Sequence, residues 1–426
     1  MPPSAPAKPD KTLLVLSQVY VPDPASVGQH MHDAAAEMAR RGYDVLVLTS
    51  RRGYDDPSQK YRWRETRDGV HIRRLPFSSF GKKSIAVRLI AGCIFVLQCI
   101  FIGLFTRHLA GILVSTSPPI CPIAAVVVGR LRRVPIKHWA MDLNPDQMIA
   151  LGNISETSPQ ARMFDWLNRL ILRHAHDVIA LDRFMADRLC RKLDVREKIH
   201  VMPPWPHQDH LEVVDHADNP FRREHALEGK FVIMHSGNHS LAHPLATILD
   251  AALRLQEEKR LIFMFVGGGV GKREVEAVIA EHKPTNIVSL PYQPLTQIRY
   301  SLSAADVHLV AMGDPIVGIC HPCKVYGAMA LGRPVLLLGP APSHISDIID
   351  ESHIGWQIRH GDVDGAVTTI RQILHSDPEQ LAALGAAAAQ TVSRKFAKSI
   401  LCNRFCDVLE RGVRPIDSSS TGGDRV

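Results

Sequence analysis

A histidine, two cysteines and a lysine lie close together in the segment Cys320-His321-Pro322-Cys323-Lys324, late in the chain. The residues that follow have the pattern of a short helix, which we expect to begin with Pro322 and to end at Gly332. A helix N-terminus presents unpaired N–H groups, and Lys324 adds a full positive charge. The segment therefore predicts a binding site for a diphosphate.

A second group of hydrogen-bond donors follows the apolar run Phe231–His235, which has the length of a buried strand. Gly237, Asn238, His239 and Ser240 come directly after it. Backbone N–H groups of a glycine-containing turn bind phosphate without side-chain charge, and the three polar side chains add further donors. We expect this loop to share the diphosphate with Lys324; an ordinary strand-to-helix loop is the alternative interpretation.

Two carboxylates follow a strand of the first half, in the run Trp139-Ala-Met-Asp142-Leu-Asn-Pro-Asp146. A carboxylate at the end of a strand can orient or deprotonate a hydroxyl group of a bound substrate. Asp142 is the first candidate for this role and Asp146 the second. A helix-capping aspartate is the alternative interpretation.

Two other motifs have the spacing of a known site without its remaining parts. Cys320 and Cys323 have the spacing of a redox pair or half a zinc site, but there is no second cysteine pair of matching spacing. The glycine-rich run before Lys272 lacks the first glycine of a P-loop, and Arg273 replaces its Ser or Thr. We expect structural roles for both, and no metal ligands.

The composition is that of a folded protein whose two halves differ in charge. Of 426 residues, 46% are hydrophobic and 22% charged, and the formal net charge is +7. Residues 1–200 carry 29 Lys and Arg against 18 Asp and Glu, which suits an anionic membrane or an anionic substrate. No nucleic-acid-binding module is recognisable, so nucleic acid is not expected as a partner. The eight cysteines lie mostly in apolar runs, as buried thiols of a reducing compartment do.

The order of apolar runs predicts an α/β protein with two tandem doubly wound Rossmann-like domains and a cleft between them. In such sheets ligands bind beyond the carboxyl ends of the strands. The candidate strands of the first domain are 12–17, 44–49, 70–75, 111–115, 136–140 and 177–181, and those of the second are 231–235, 261–266, 287–290, 307–310 and 334–338.

These runs also divide the chain. We expect a disordered N-terminus over 1–11, a first domain over 12–202, a linker over 203–228, a second domain over 229–385, C-terminal helices over 386–412 and a disordered tail over 413–426. We expect no secretory signal at the start, because residues 1–11 are polar and rich in proline.

One segment of the first domain, residues 85–105, is apolar over almost its whole length. Three interpretations compete: a buried or interfacial helix, a re-entrant hairpin together with residues 112–128, and a single membrane span. A span would put the two halves of one sheet on opposite sides of a membrane. We therefore favour attachment to a membrane over crossing.

In its order of motifs, the chain resembles the GT-B glycosyltransferases of the large retaining family 4. The resemblance rests on the tandem domains, the Ser236–Ser240 loop and the block from His321 to Val335, and it covers residues from Thr12 to about Arg411. Within the family, the chain is most similar to the branch that builds bacterial exopolysaccharides, such as the colanic-acid and O-antigen enzymes.

The resemblance implies roles for several residues on the donor side. The family has two glutamates eight residues apart that hold the donor sugar and ribose, and here Ile319 and Gly327 occupy their positions. His321 and the backbone of Gly318, Ile319 and Cys320 then become the candidates that face the sugar, with His321 as a catalytic candidate. A helix-capping or packed histidine is the alternative interpretation of His321. Pro291 and Tyr292 fall where relatives hold the nucleobase, although Tyr292 could equally be a core aromatic residue.

On the acceptor side, the family's Gly-Gly loop corresponds to Ser26-Val-Gly28-Gln29-His30, with one glycine replaced by Val27. Relatives often have a His-Asp pair facing the acceptor, and Asp142 matches its position. We thus expect the acceptor to contact Gly28, Gln29, His30, Asp142 and Asp146.

The function that the resemblance implies is transfer of a sugar from a nucleotide-diphosphate donor to a lipid-linked or saccharide acceptor. It implies retention of the anomeric configuration, no cofactor, no metal, and work at the cytoplasmic face of the inner membrane. The alternatives are a nucleotide-sugar epimerase of the same fold and a degenerate, non-catalytic binding protein, the latter because Ile319 and Gly327 replace glutamates.

Overall fold

The computed structural model describes residues 11–23, 25–53, 58–78, 85–206, 212–294 and 296–413. The two predicted disordered ends therefore lie outside the described residues, apart from Lys11 and Val413. Residues 207–211 of the predicted linker and residues 79–84 before the apolar segment also lie outside them.

The first half of the chain forms an eight-stranded sheet in the order β3-β4-β2-β1-β5-β6-β7-β8. Only the pairing of β3 with β4 is antiparallel, and all the other neighbours are parallel. The strands are β1 (Thr12–Leu16), β2 (Asp44–Ser50), β3 (Arg64–Arg67), β4 (Val70–Leu75), β5 (Leu109–Ser115), β6 (Ile136–Trp139), β7 (Asp177–Ala180) and β8 (Ile199–Val201).

Helices connect these strands as crossovers and cover the sheet. The apolar strands are buried because helices lie on both faces, which is the usual environment of a parallel sheet. The helices are α1 (Ser26–Arg40), α2 (Ile85–Leu104), α3 (Pro122–Arg132), α4 (Asp146–Ala150), α5 (Pro159–His174) and α6 (Arg183–Lys192), and the short α7 (Pro220–Glu224) follows in the connection to the second half.

The second half forms a six-stranded, fully parallel sheet in the order β11-β10-β9-β12-β13-β14. Its strands are β9 (Phe231–Asn238), β10 (Leu261–Gly268), β11 (Ile287–Leu290), β12 (Val307–Ala311), β13 (Val335–Leu338) and β14 (Gly355–Ile358). Its helices are α8 (Ala246–Arg254), α9 (Lys272–His282), α10 (Ile298–Ser303), α11 (Lys324–Ala330), α12 (His344–Ser352), α13 (Val363–Leu374) and α14 (Pro378–Thr391), and α15 (Lys398–Glu410) ends the described chain.

Both sheets reverse their strand order in the middle, as doubly wound sheets do. The reversal falls between β1 and β5 in the first sheet and between β9 and β12 in the second. The predicted fold class is therefore confirmed, and the loops after these strands lie at the positions where such sheets bind ligands. The prediction missed β3, β8 and β14, which are short and lie at or near sheet edges.

The last helix returns to the first half. Arg41, after α1, donates from Nη1 to Asp407 at 2.7 Å and to Glu410 at 2.9 Å, both on α15. Lys398 at the start of α15 contacts Asp33 of α1 at 2.7 Å. The two halves are thus linked in two places. The chain passes from one to the other through residues 203–228, and the helices after residue 385 return from the second half to the first.

The predicted apolar segment is the helix α2, which connects β4 to β5 and packs along α3. Its polar Gln98 donates to the Pro76 carbonyl oxygen at 2.9 Å. Gly103 lies so close to α3 that an added Cβ would come within 2.9 Å of the Val128 side chain. Among the described residues, no helix combines the length and the apolar character that a membrane span needs.

Candidate active site

Lys324 is the first residue of α11 and lies at the carboxyl end of the second sheet. Its Nζ donates to Nε2 of His235 and to the Asn238 carbonyl oxygen, each at 2.8 Å. Burial lowers the pKa of Lys324 to about 7. A poorly hydrated ammonium group that is already held in place favours an anion as its next partner.

The end of β9 and the loop that follows it, residues 235–243, wrap around this lysine; we call this segment the donor loop. Gly237 has φ +115°, and a Cβ there would come within 3.0 Å of Lys324 Cε. A Cβ on Gly267, at the end of β10, would lie 2.0 Å from the Gly237 carbonyl oxygen. Glycine at both places thus lets the ends of β9 and β10 approach each other beside the lysine.

Three histidines of the donor loop lie around Lys324 at a spacing of four residues. Burial, and next the charge of Lys324, lower the pKa of His239 to about 4 and that of His243 to about 3, and hold the pKa of His235 well below its usual range. Nε2 of His239 and Nδ1 of His243 are buried and have no hydrogen-bond partner among the described residues. These uncharged rings therefore keep polar atoms available beside the cation.

Of these three histidines, His239 was predicted from the sequence, whereas His235 and His243 were not. The repeated spacing of histidines at 235, 239 and 243 is the signal that could have found them. Of the other predicted loop residues, Asn238 offers its carbonyl oxygen to Lys324, and the Ser240 hydroxyl accepts from the Ala242 amide at 3.1 Å.

The prediction that α11 begins at Pro322 is wrong, since the helix begins two residues later at Lys324 and ends at Ala330. Cys323 precedes it in a helical backbone conformation without a side-chain cap. The helix is only seven residues long, so its dipole contributes little, and the charge of Lys324 becomes the main attraction for an anion.

Residues 318–320 do not face an open sugar site. The Ile319 side chain is only 2% exposed and packs with the first domain's core, and its carbonyl oxygen accepts from the Leu143 amide at 3.1 Å. The Cys320 thiol accepts from Gln147 Nε2 at 2.8 Å. Gly318 has φ +68°, and a Cβ there would lie 2.6 Å from the Phe184 carbonyl group. These contacts join the two domains, and burial of the apolar Ile319 side chain stabilises them.

His321 lies between the two domains in this structure. Its side chain is buried, with Nδ1 at 2.8 Å from the Asp182 carboxylate and Nε2 at 2.7 Å from the Tyr326 hydroxyl. Both ring nitrogens are therefore occupied. Asp182 belongs to the first domain and also caps α6 by accepting from the Met185 amide at 2.8 Å.

His344 completes this interdomain cluster. Its ring stacks on that of His321, with centroids 3.8 Å apart and planes inclined by 22°. The ligand atoms of Asp182, His321 and His344 lie within 4.8 Å of one another, close enough for a metal site. Ring nitrogens bind metals in the plane of the ring, so two stacked rings do not aim at a common ion in this arrangement. The cluster fits a contact between domains better.

Asp142 lies on the opposite side of the cleft, after β6. Its amide donates to the Thr116 hydroxyl at 3.3 Å, and its carboxylate interacts with the Cys320 thiol of the second domain. Surrounding protein raises the pKa of Asp142, although its side chain stays open to solvent. A carboxylate at the base of an open cleft can both meet a substrate and hold a proton.

The second acidic candidate, Asp146, is already paired. It opens α4, and its carboxylate lies 2.8 Å from Lys192 Nζ and 3.8 Å from Arg188 Nη1. Because its charge is already paired with Lys192 and Arg188, Asp146 fits a structural role. Asp142 is therefore the better candidate to contact the acceptor.

The segment expected to form a Gly-Gly-like loop is the first turn of α1, which begins at Ser26. Gly28 is buried, and a Cβ there would approach the Tyr20 backbone to 3.0 Å. His30 is fully buried: Nε2 donates to the Trp205 carbonyl oxygen at 2.8 Å, and Nδ1 lies 3.2 Å from the Ser26 hydroxyl. His30 thus cannot contact an acceptor in this structure, whereas Ser26 is exposed and Gln29 half-buried.

Tyr292 lies beside the end of β10 and is not a core residue. Its ring is 60% exposed, and its hydroxyl donates to the Gly268 carbonyl oxygen at 3.3 Å. Pro291 before it is exposed as well. Gly268 pairs with Asn238 of β9, so Tyr292 lies near the donor loop.

Known proteins resemble this chain in sequence. The family model of the glycosyl transferase 4-like domain matches residues 26–205. The Pseudomonas aeruginosa protein named probable glycosyltransferase WbjE is 25% identical over 279 residues, which are 66% of this chain and 68% of that protein. The Escherichia coli K12 protein WcaI, named for a glycosyl transferase of colanic acid biosynthesis, is 22% identical over 374 residues, 85% of this chain and 92% of that protein.

Solved structures resemble it in fold. Sucrose-phosphate synthase from Thermosynechococcus elongatus aligns with a TM-score of 0.73 at 16% identity over 93% of this chain and 98% of that one. Anabaena HepE, in complex with UDP and glucose, aligns at 0.70 and 15% identity over 94% and 99%. WaaG, a glycosyltransferase involved in lipopolysaccharide biosynthesis, aligns at 0.68 and 14% identity over 94% and 100%.

Two Rossmann-like domains in tandem, with a cation beside the switch point of the second, define a GT-B protein. The sequence comparisons then identify the chain as a glycosyltransferase of the family 4 type. The expected family and enzyme class are confirmed.

Proposed function

We propose that the enzyme transfers a sugar from a nucleotide-diphosphate donor to a lipid-linked or saccharide acceptor during synthesis of a bacterial surface polysaccharide. The surroundings of Lys324 in the donor loop are the observation that carries this proposal. They bring together a desolvated cation and imidazole nitrogens that have no partner among the described residues. The names of WbjE, WcaI and WaaG support the surface-polysaccharide setting.

On the donor side, the leaving diphosphate gathers negative charge as the sugar departs. Lys324 Nζ balances that charge, and the neutral rings of His239 and His243 line the site beside it. In this proposal, the protein's own donors take the place of a metal ion. Tyr292 presents its exposed ring to the nucleobase, and the backbone of Gly237 makes room for the phosphates.

On the acceptor side, Asp142 orients the attacking hydroxyl group. It interacts with Cys320, four residues before Lys324, which supports an acceptor position near the leaving diphosphate. Attack from the face on which the diphosphate leaves gives retention of the anomeric configuration. Ser26 and Gln29 are the remaining acceptor contacts of α1 in this proposal, and Asp146 positions α4 behind Asp142.

The proposed place of work is the cytoplasmic face of the inner membrane, where a lipid-linked acceptor is available. The basic first half supports this proposal, since it suits an anionic lipid phosphate.

A nucleotide screen tests the proposal. We expect UDP, GDP or ADP at millimolar concentration to raise the melting temperature, and the matching nucleotide sugar to label a lipid extract of membranes. An intact protein that none of the three nucleotides stabilises would be a non-catalytic relative. Release of an isomerised sugar without any acceptor would instead indicate an epimerase.

A further inference from the structure

The helix α2 has two faces of different character. On one face, Ala91, Phe95 and Cys99 are buried against the first domain. Gly92 also approaches a neighbour closely, since a Cβ there would lie 3.0 Å from the Ile120 side chain. This face is part of the protein core, and it fixes the helix along the surface of the domain.

The other face exposes large apolar side chains to solvent. At about 100° per residue, those within α2 fall in an arc of about 80°, and Phe105 continues the same line just beyond the helix. The Phe101 and Phe105 rings are 5.1 Å apart. We call this surface the α2 apolar face; it comprises Val87 (36% exposed), Ile90 (57%), Leu97 (66%), Phe101 (66%) and Phe105 (73%).

The charge around this face has one sign. Residues 69–141 contain ten Lys and Arg and no Asp or Glu. Arg107, Arg130 and Arg133 are exposed near the C-terminal end of α2, where Arg132 Nη1 donates to the Leu104 carbonyl oxygen at 2.6 Å. Leu131 in the same turn is 66% exposed. An apolar strip with exposed arginines at one end complements an anionic lipid surface.

We propose that the α2 apolar face docks the enzyme on an anionic bilayer, with α2 lying in the plane of the interface. The apolar side chains enter the boundary between headgroups and acyl chains, and the arginines at the end of the helix contact lipid phosphates. The helix does not cross the bilayer in this proposal, because its opposite face packs on the domain and its two ends lead to strands of one sheet.

The purpose of this docking rests on the proposed function, since it would bring the acceptor cleft to a lipid-linked substrate. Docking itself requires neither donor nor acceptor. Vesicle binding and nucleotide binding can therefore fail separately, and each result points to one of the two proposals.

Sedimentation with vesicles tests the docking. We expect the full-length protein to bind vesicles of phosphatidylglycerol and phosphatidylethanolamine, and to bind phosphatidylcholine vesicles at least tenfold more weakly. The double variant Leu97→Ser/Phe101→Ser should lose at least tenfold in binding to the anionic vesicles. The control Val201→Ser/Val213→Ser, which removes two exposed apolar side chains elsewhere, should bind like the wild type.

A second readout needs no substitution. Cys93 on α2 is the exposed one of the eight cysteines, so a water-soluble maleimide should label it first, and anionic vesicles should slow this labelling. Unchanged labelling together with no sedimentation would overturn the proposal. So would a concentration-dependent dimer that Leu97→Ser/Phe101→Ser abolishes, because the face would then belong to a second copy of this chain.

Discussion

The Asp182 carboxylate of the first domain accepts a 2.8 Å hydrogen bond from His321 of the second. Arg183, the next residue, forms a two-point ion pair with Asp347, with N–O distances of 2.7 and 3.0 Å. Gly318 packs on Phe184 in the same region. The start of α6 is thus one of the places where the two domains contact each other.

Replacing Gly318 should loosen this contact. A Cβ at Gly318 would meet the Phe184 carbonyl at 2.6 Å, so we expect Gly318→Ala to lower the free energy of unfolding by about 1–3 kcal/mol and to enlarge the radius of gyration. Thermal unfolding and small-angle scattering measure the two effects. Gly361→Ala is the matched control, because Gly361 also has positive φ but nothing within 4 Å of its Cβ position. Equal behaviour of both variants would contradict the role of Gly318.

Replacing Lys324 should remove the main cation for the diphosphate. We expect Lys324→Ala to lower turnover by about a hundred- to a thousand-fold while the melting temperature without nucleotide changes little. Lys259→Ala is the control, since Lys259 is exposed and precedes β10 at the opposite edge of the sheet. Turnover like that of the wild type would remove Lys324 from the mechanism.

Nucleotide binding should also take up protons at Lys324. Its pKa of about 7 in the free enzyme means that the group is about half protonated at pH 7, and a bound diphosphate favours the charged form. Affinity should then fall as the pH rises above 7. Calorimetry in buffers of different ionisation enthalpy measures the uptake, and the difference between wild type and Lys324→Ala should be about half a proton.

Asp142 is expected to act on the acceptor and not on the donor. Asp142→Asn should lower kcat by between about a hundred- and ten-thousand-fold and leave nucleotide affinity unchanged. Because its pKa is raised, the wild-type rate should decline with falling pH above the usual carboxyl range, and this decline should vanish in the variant. Asp146→Asn should cost much less, and a larger loss there would reverse the two assignments.

Acid should destabilise the protein through its buried neutral histidines. His308 donates to the Leu302 carbonyl oxygen, and burial lowers its pKa to about 4. Between pH 6.5 and pH 4 the histidine is protonated in the unfolded chain but stays neutral in the folded protein. Each such group therefore lowers the free energy of unfolding by about 1.4 kcal/mol for each pH unit of acidification in this range. His308→Gln should flatten the curve of stability against pH between these values. The exposed His375→Gln should leave the slope unchanged.

Much of the donor site could be predicted from local sequence. Lys324 and the donor loop follow apolar strands, and the carboxyl ends of parallel strands in a doubly wound sheet must meet at one edge. Their neighbourhood follows from strand order alone. The neutral state of His239 and His243 could not be predicted, because it depends on burial beside Lys324, about eighty residues away along the chain.

The alternation of apolar strands and amphipathic helices determined the tandem α/β fold, since each run must bury its apolar side chains by the same local rules wherever it lies. The directions of His321, Ile319 and His30 were decided only by the tertiary structure. Each of these residues is hydrogen-bonded to a partner more than a hundred residues away in sequence, Asp182, Leu143 and Trp205 respectively. No local pattern encodes such a partner, because the contact exists only after the two domains and their connecting segments have packed.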